Sequence, residues 1–225
     1  MTRLKTIGVI GGMGPAATAD FLGRLVRGVA AAHDRDHPRI LVDSNPHVPD
    51  RNAALAGSGP SPGPALAAMA RGLAAQGAAL LAMPCNAAHG WADDVRAATD
   101  LPFIDMVEAS VSRLAGARTV GLIAVAATLD ARLYHRPLEA AGIHVIEPDR
   151  AEVAALVARV KAGDVGPDAQ AAATALAEGL VARGADRLVA ACTEIPLVLG
   201  QPQCRVPLIE TTQALADAVL EAAAA

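Results

Sequence analysis

The chain has 225 residues, of which 53% are hydrophobic and only 2% aromatic, and its formal net charge is −4. This acidic balance, with no Lys/Arg run and few aromatic rings for base stacking, argues against a nucleic-acid binder. No apolar stretch has the length of a membrane span, and three cysteines do not suggest a disulfide framework. No signal peptide precedes the first predicted strand, so we expect a cytoplasmic protein with reduced thiols and no membrane partner.

Short aliphatic runs alternate with longer Ala-rich stretches along the chain. Because alanine is the strongest helix former, the Ala-rich stretches predict helices. The runs of Val, Ile and Leu predict strands at residues 6–10, 40–42, 80–83, 120–125 and 188–191. This alternation is typical of parallel sheets covered by helices on both faces, so the predicted fold class is α/β.

The chain contains one sequence unit twice. The matching segments are residues 5–10 (KTIGVI) with 118–123 (RTVGLI), and 102–105 (PFID) with 207–210 (PLIE). Gly77 and Gly184 each stand eight residues before a cysteine, and glycine favours such positions just after a helix. The repeat predicts two similar domains, one of residues 1–103 with a returning C-terminal helix at 208–225, and one of residues 104–207.

Each predicted domain carries a cysteine at the carboxyl end of a strand, Cys85 in the first and Cys192 in the second. Ligands of open α/β sheets bind at that edge. If the domains face each other, the two thiols form an acid/base pair on opposite sides of one cleft. Helix starts expected after both cysteines would lower the pKa of a thiol, so that one sulfur could be a thiolate base and the other a thiol donor.

Polar residues follow both cysteines. Asn86 and Thr193 are suited to helix capping, and a helix N-terminus can also hold an anion such as an α-carboxylate. Glu194 and His89 could tune or orient the sulfur atoms, or simply belong to the first turn of a helix. Cys204 has no comparable surroundings and is predicted to be structural.

The loop after the first strand, residues 11–18, formally fits a dinucleotide-binding pattern. Pro15 stiffens this loop, and no acidic residue ends the second strand at the usual distance, which disfavours a nucleotide. We expect the backbone N–H groups around Met13 and Gly14 to contact a smaller anion instead.

Two basic residues are candidates for carboxylate recognition. Arg51 lies in the longest irregular stretch, residues 45–64, which begins with Asn45. Its guanidinium suits bidentate contact with a carboxylate. Lys161 ends a predicted helix, where it could be only a helix C-terminal charge. No metal-binding spacing is present, and we predict neither a metal nor another cofactor.

Together these motifs resemble the aspartate/glutamate racemase family, the pyridoxal-independent amino-acid racemases. The resemblance covers nearly the whole chain and rests on GGMGP at 11–15, VPDR at 48–51, MPCN at 83–86 with His89, and CTEIPL at 192–197. It implies two pseudo-symmetric parallel-sheet α/β domains with the active site in the cleft between them, commonly in a homodimer. It also implies that Cys85 and Cys192 exchange protons at Cα, with Arg51 and Lys161 binding the distal carboxylate of an acidic amino acid.

The substrate-binding residues predicted on these grounds are Met13, Gly14, Asn45, Arg51, Asn86, Thr128, Lys161, Thr193 and Glu194. Three positions depart from the family pattern: Ala87 stands where Thr is usual, and Val125 and Ala127 replace a Thr and a Gly. Hydroxyls lost near the α-carboxylate site affect the choice of substrate more than the type of reaction.

The predicted function is cofactor-independent racemisation of aspartate, and of glutamate as well, by a two-cysteine, two-base mechanism. One alternative is a superfamily relative acting on another dicarboxylic acid, such as a maleate-type isomerase or a malonate decarboxylase. The other is a non-catalytic amino-acid-binding protein. Turnover of a dicarboxylate without an amino group, or binding of aspartate without turnover, would favour these alternatives.

Overall fold

The computed structural model describes residues 4–225, and the strands of that range form two parallel four-stranded sheets. The first sheet consists of β1 (Ile7–Gly11), β2 (Ile40–Ser44), β3 (Leu80–Ala82) and β4 (Phe103–Ile104), in the spatial order β2-β1-β3-β4. The second consists of β5 (Thr119–Ile123), β6 (His144–Ile146), β7 (Arg187–Ala190) and β8 (Leu208–Glu210), in the order β6-β5-β7-β8. Both sheets therefore have the same topology, and the predicted α/β class is confirmed.

Helices connect the strands in both halves of the chain. They are α1 (Pro15–Arg27), α2 (Arg51–Leu55), α3 (Gly63–Ala75), α4 (Ala92–Ala98), α5 (Met106–Val111), α6 (Ala126–Asp130), α7 (His135–Ala140), α8 (Arg150–Lys161), α9 (Pro167–Ala182) and α10 (Thr211–Ala224). Within residues 4–225, no helix combines the length and the apolar character that a bilayer span requires. The aliphatic runs did not predict β4, β6 or β8, which have two or three residues each and lie at sheet edges.

The two sheets match in packing as well as in order. Gly8 in β1 pairs with Leu81 in β3, and Gly121 in β5 pairs with Leu188 in β7. A Cβ added at either glycine would lie 2.8 Å from the Cδ2 atom of that leucine and within 3.3 Å of the Cβ atom of a leucine in α3 or α9. The repeated glycine of the two matching segments therefore allows a helix to approach the central strand closely.

The ends of α3 and α9 also match. Gly77 has φ +92° and Gly184 has φ +98°, a left-handed conformation that glycine adopts without steric cost. In both, the glycine N–H and the next N–H bond back to carbonyls in the last turn of the helix. This is the Schellman arrangement, and it confirms the predicted helix ends before the two cysteine strands.

Contacts divide the chain into two compact units. The described residues through Ala109 and the segment Thr212–Ala225 form the first unit, and Ser110–Thr211 forms the second. The chain passes from the first unit to the second after Ala109 and returns after Thr211. The return lies beyond β8 at Leu208–Glu210, because that strand pairs with β7 in the second sheet. Whether each unit is an autonomous domain stays a prediction.

Each unit has its own apolar core. In the first, β1 and β3 pack against α1 and the C-terminal helix α10, through residues that include Ile7, Phe21, Leu25, Leu215 and Val219. In the second, β5 and β7 pack against α8 and α9, through residues that include Ile123, Leu156, Leu180, Leu188 and Ile195. These cores fix the strands whose carboxyl ends carry the cysteines.

Candidate active site

Both cysteines follow the third strand of their own sheet. Cys85 comes three residues after β3 ends, and Cys192 comes two residues after β7 ends. Both are buried, with 4% and 6% of their surface exposed. β3 and β7 each lie between two other strands, so each cysteine stands at the carboxyl edge of an interior strand. Ligands of parallel α/β sheets bind at this edge.

The backbone after each cysteine differs from the prediction. A 3-10 turn, Ala87–Trp91, follows Cys85, and a shorter one, Ile195–Leu197, follows Cys192. The side chain of Asn86 makes no capping bond to the first of these turns, and Thr193 does not occupy the cap position of the second. The predicted helix starts directly after the two cysteines are therefore wrong.

A carboxylate holds the second thiol. The Cys192 Sγ atom donates a hydrogen bond to Glu194 Oε2 at 3.0 Å, and the Thr193 hydroxyl donates to the same oxygen at 3.3 Å. The Nζ atom of Lys161, at the end of α8, lies 3.9 Å from the other oxygen, Oε1. Glu194 is 5% exposed, so this cluster is largely shielded from water, whereas half of the Lys161 side chain is exposed.

The electrostatics of this cluster keep Cys192 protonated. Burial and then the negative charge of Glu194 raise the pKa of the Cys192 thiol well above its usual value, and the positive charge of Lys161 opposes this shift. The sequence predicted that helix starts would lower a thiol pKa. At Cys192 the pKa is raised instead, because burial and the Glu194 carboxylate, which accepts a hydrogen bond from the S–H group, outweigh the small dipole of a three-residue turn.

The glycine-rich loop before α1 is fixed by one side chain. The Thr18 hydroxyl accepts a hydrogen bond from Gly12 N at 2.9 Å and donates to Gly14 O at 3.0 Å. Met13 is buried, and a Cβ at Gly12 would overlap the backbone of Asn45. The loop and Asn45 are therefore adjacent. A shared binding role for Met13, Gly14 and Asn45 requires this.

The two predicted carboxylate binders have different surroundings. Arg51 is half-buried, and its NH1 group donates to Val48 O at 3.2 Å and to Pro49 O at 3.0 Å, so its own loop orients the guanidinium. Lys161 instead has Glu194 as a carboxylate neighbour in the second unit. The residue spacing gave no indication of that pair, because α8 and the segment after β7 are far apart in the sequence.

Thr128 has an unsatisfied hydroxyl. It lies in α6, directly after β5, and its side chain is fully buried. Within residues 4–225 its Oγ1 atom has no hydrogen-bond partner. Buried polar groups are normally paired, so this hydroxyl is a group that a ligand could satisfy.

The sequence profile of the Asp/Glu/hydantoin racemase family matches residues 10–219. The chain belongs to this family. The broad specificity amino-acid racemase RacX of Bacillus subtilis (strain 168) is 26% identical to this chain, over 95% of this chain and 96% of that protein. Picrophilus torridus aspartate racemase has a TM-score of 0.90 at 30% identity, covering 98% of this chain and 94% of that one. An aspartate racemase homologue from Pyrococcus horikoshii OT3 shares the fold, with a TM-score of 0.78 at 21% identity over 99% and 100% of the two chains.

These matches confirm the resemblance drawn from the sequence motifs. They also confirm the predicted enzyme class, since the racemase family profile covers nearly the whole chain and its relatives are amino-acid racemases. Racemases are isomerases that invert a stereocentre, so the chemistry to be explained is proton exchange at Cα of an amino acid.

Proposed function

We propose that this racemase interconverts the enantiomers of aspartate, with glutamate as a second substrate, by proton exchange between Cys85 and Cys192. The observation that carries the proposal is the equivalent placement of the two thiols. Each follows the third strand of a sheet with the same topology, at the edge where α/β proteins bind ligands. A two-base racemase requires one such group for each face of the substrate.

The surroundings of Cys192 favour one assignment of roles in the resting enzyme. The Cys192 thiol is held protonated by burial and Glu194, so in our mechanism it is the proton donor and Cys85 is the base. Cys85 takes the Cα proton, forming an S–H bond as the Cα–H bond breaks. Cys192 then gives its proton to the opposite face of the carbanion, so charge and protons balance. The Cys192 thiolate left beside Glu194 is unfavourable, which promotes proton return in the reverse direction.

The substrate α-carboxylate is assigned to the groups near the strand ends. Asn86, Thr128, Thr193 and the backbone of Met13 and Gly14 supply donors, and these would also stabilise the charge that develops on the enediolate. The buried and unpaired hydroxyl of Thr128 supports this assignment. Glu194 acts indirectly in this mechanism, because it accepts a hydrogen bond from the Cys192 thiol.

The distal carboxylate is assigned to Arg51 and Lys161. The exposed half of the Lys161 side chain supports its access to a ligand carboxylate in addition to Glu194. The Picrophilus torridus relative is an aspartate racemase, which favours an acidic substrate, whereas the Bacillus subtilis relative has broad specificity, which favours a panel that extends beyond aspartate. A homodimer in the cytoplasm belongs to the same proposal, and light scattering of the purified chain tests the dimer.

The test is exchange of Cα hydrogen for deuterium in D₂O, started separately from each enantiomer of aspartate. Cys85→Ser and Cys192→Ser should each lose on the order of 10²–10⁴-fold in racemisation, the contribution typical of a positioned acid or base. Cys204→Ser is the matched control, since that cysteine is only partly buried and lies outside the proposed site. It should keep the wild-type rate. Wild-type racemisation by either of the other variants would overturn the two-base mechanism.

A further inference from the structure

The first unit contains a buried imidazole that contacts the main chain of Cys85. His89 lies in the 3-10 turn Ala87–Trp91, and only 1% of its side chain is exposed. Its Nδ1 atom is 2.8 Å from the Cys85 carbonyl oxygen. On the other side of the ring, the backbone N–H of Met106, the first residue of α5, donates to Nε2 at 3.0 Å. The imidazole therefore connects the cysteine segment to the start of a helix.

These two contacts determine the tautomer of His89. An N–H group can only donate, so Nε2 must accept from Met106 and carries no proton. A neutral imidazole then has its proton on Nδ1, which donates to the Cys85 carbonyl. Burial lowers the pKa of His89 despite the opposing charge of Asp105, so the neutral form is the stable one.

The helix start that His89 contacts is itself held in place. Asp105 Oδ1 accepts from the N–H groups of Val107 and Glu108 at 2.8 and 3.2 Å, capping α5. The other carboxylate oxygen accepts from Arg96 NH2 at 2.6 Å. The Phe103 ring lies 5.6 Å from the His89 ring and 5.4 Å from the Arg96 guanidinium carbon. The Met106 N–H is thus a fixed donor, and His89 transmits its position to Cys85.

We infer that His89 is a positioning residue, which sets the location of the Cys85 sulfur by holding the cysteine carbonyl against the N-terminus of α5. The inference rests on the proposed role of Cys85 as a base. The cysteine lies in a short segment between β3 and a 3-10 turn, where no α-helix fixes the backbone. In the second unit the residue four positions after the cysteine is Pro196, which has no such ring donor, and there Glu194 holds the sulfur itself.

Two near-isosteric substitutions separate the two contacts of His89. In His89→Asn the amide nitrogen reaches the position of Nδ1 and keeps a donor for the Cys85 carbonyl. In His89→Gln the amide oxygen reaches the position of Nε2 and keeps an acceptor for the Met106 N–H. If His89 acts by positioning Cys85, the His89→Asn variant should keep kcat within a few-fold of wild type. Gln should lose on the order of tenfold to 10²-fold, the usual effect of a misplaced catalytic group. KM for aspartate should change less than twofold in both.

The comparison with thermal stability separates positioning from a purely structural role. If kcat in the two variants follows their melting temperatures, or if Gln retains more activity than Asn, the inference is overturned. Cys85→Ser in the same assay keeps the two proposals distinct. An active Cys85→Ser overturns the proposed function, whereas an inactive one beside two fully active His89 variants overturns only the role of His89.

The wild-type protein gives an independent measurement if neither variant folds. Nitrogen chemical shifts of His89 at neutral pH should show a protonated Nδ1 and an unprotonated Nε2. A ring with its proton on Nε2, or a charged ring, would mean that His89 does not donate to the Cys85 carbonyl, and the inference would then be rejected.

Discussion

The two units of this racemase have the same strand topology, but different side chains contact their cysteines. In both, a glycine in the central strand admits a helix, and a Schellman glycine ends that helix before the cysteine strand. In the first unit a neutral imidazole holds the carbonyl of Cys85. In the second a carboxylate holds the thiol of Cys192. The repeat thus preserves the strand positions, and the residues that follow each cysteine differ in chemistry.

The two-base exchange proposed above needs unequal surroundings of this kind. If both thiols had identical surroundings, they would tend to be protonated or ionised together, and no donor–acceptor pair would exist at rest. Glu194 favours the proton on Cys192, whereas the His89 ring contacts the backbone carbonyl of Cys85. Duplication supplies two equivalent positions, and divergence at neighbouring residues makes the two positions unequal.

Among variants that keep both cysteines, the largest expected effect comes from Glu194→Gln, which removes the negative charge beside the Cys192 thiol. The amide keeps the volume but removes the negative charge, so the pKa of Cys192 should fall, although burial, the larger cause, keeps it above the usual value. The amide oxygen of Gln accepts a hydrogen bond more weakly than a carboxylate does, so the Cys192 thiol is positioned less firmly. We therefore expect racemisation to fall on the order of 10²-fold, the lower end of a positioned acid's contribution. Because the thiol is the active form, the alkaline limb of the kcat/KM profile should move to lower pH.

The opposite change provides the control. Lys161→Gln removes the positive charge beside Glu194, so it should raise the pKa of Cys192 further, because Lys161 lowers it in the wild type. Thiolate absorbance in a Cys85→Ser/Cys204→Ser background measures both variants on the single remaining thiol. If both variants shifted the Cys192 pKa in the same direction, the charge cluster would be contradicted.

The raised pKa of Cys192 also affects stability in the wild type. Its contribution to the free energy of unfolding is complete below pH 9.0, the ordinary pKa of the thiol. That contribution is lost as the pH rises through the folded-state value.

The sequence predicted the repeated framework because its signals are local. Aliphatic runs marked most strands, and the equal spacing from Gly77 to Cys85 and from Gly184 to Cys192 marked the shared helix-to-strand unit. The helix expected after Cys192 was wrong, because the sequence did not distinguish an α-helix from the 3-10 turn Ile195–Leu197 that follows this cysteine.

The electrostatics of the site depend on contacts that residue types alone do not specify. The Lys161–Glu194 pair joins the end of α8 to the segment after β7, and the orientation of the Glu194 carboxylate toward sulfur depends on packing. The direction of the Cys192 pKa shift follows from burial and from that orientation, so the sequence alone did not indicate which of the two thiols stays protonated. The contact between His89 and the N-terminus of α5 was likewise unpredictable, since it requires the fold of the first unit.

The next largest effect tests whether the two units are equivalent in packing. Gly8→Ala and Gly121→Ala each introduce a Cβ that would lie 2.8 Å from a leucine Cδ2 atom of the neighbouring strand. Overpacking of this kind costs about 1–3 kcal/mol, and we expect similar losses at both positions because the clashes are alike. Urea denaturation of the two variants measures these losses. If only one variant lost stability, the two units would have the same strand pairing but different packing of the helix on the central strand.

The smallest effect concerns the two Schellman glycines. Gly77→Ala and Gly184→Ala force a left-handed φ on a residue with a Cβ, which costs about 1–2 kcal/mol even where there is room for the methyl group. There is room at both positions, since the nearest atom to an added Cβ at Gly77 is 3.9 Å away and none lies within 4 Å at Gly184. Any loss of stability, again read from urea denaturation, therefore reports backbone strain alone.

Matched controls lie five residues earlier, inside the same helices. Gly72 in α3 and Gly179 in α9 also have no atom within 4 Å of an added Cβ, but their φ values are not positive. Replacing either with alanine should stabilise the protein by about 0.5–1 kcal/mol, because alanine is the better helix former. Opposite signs within each helix, repeated in both units, would establish that the duplication extends to the backbone conformation at the helix ends. Destabilisation by all four variants would contradict the assigned strain, because the control positions would then cost as much as the left-handed ones.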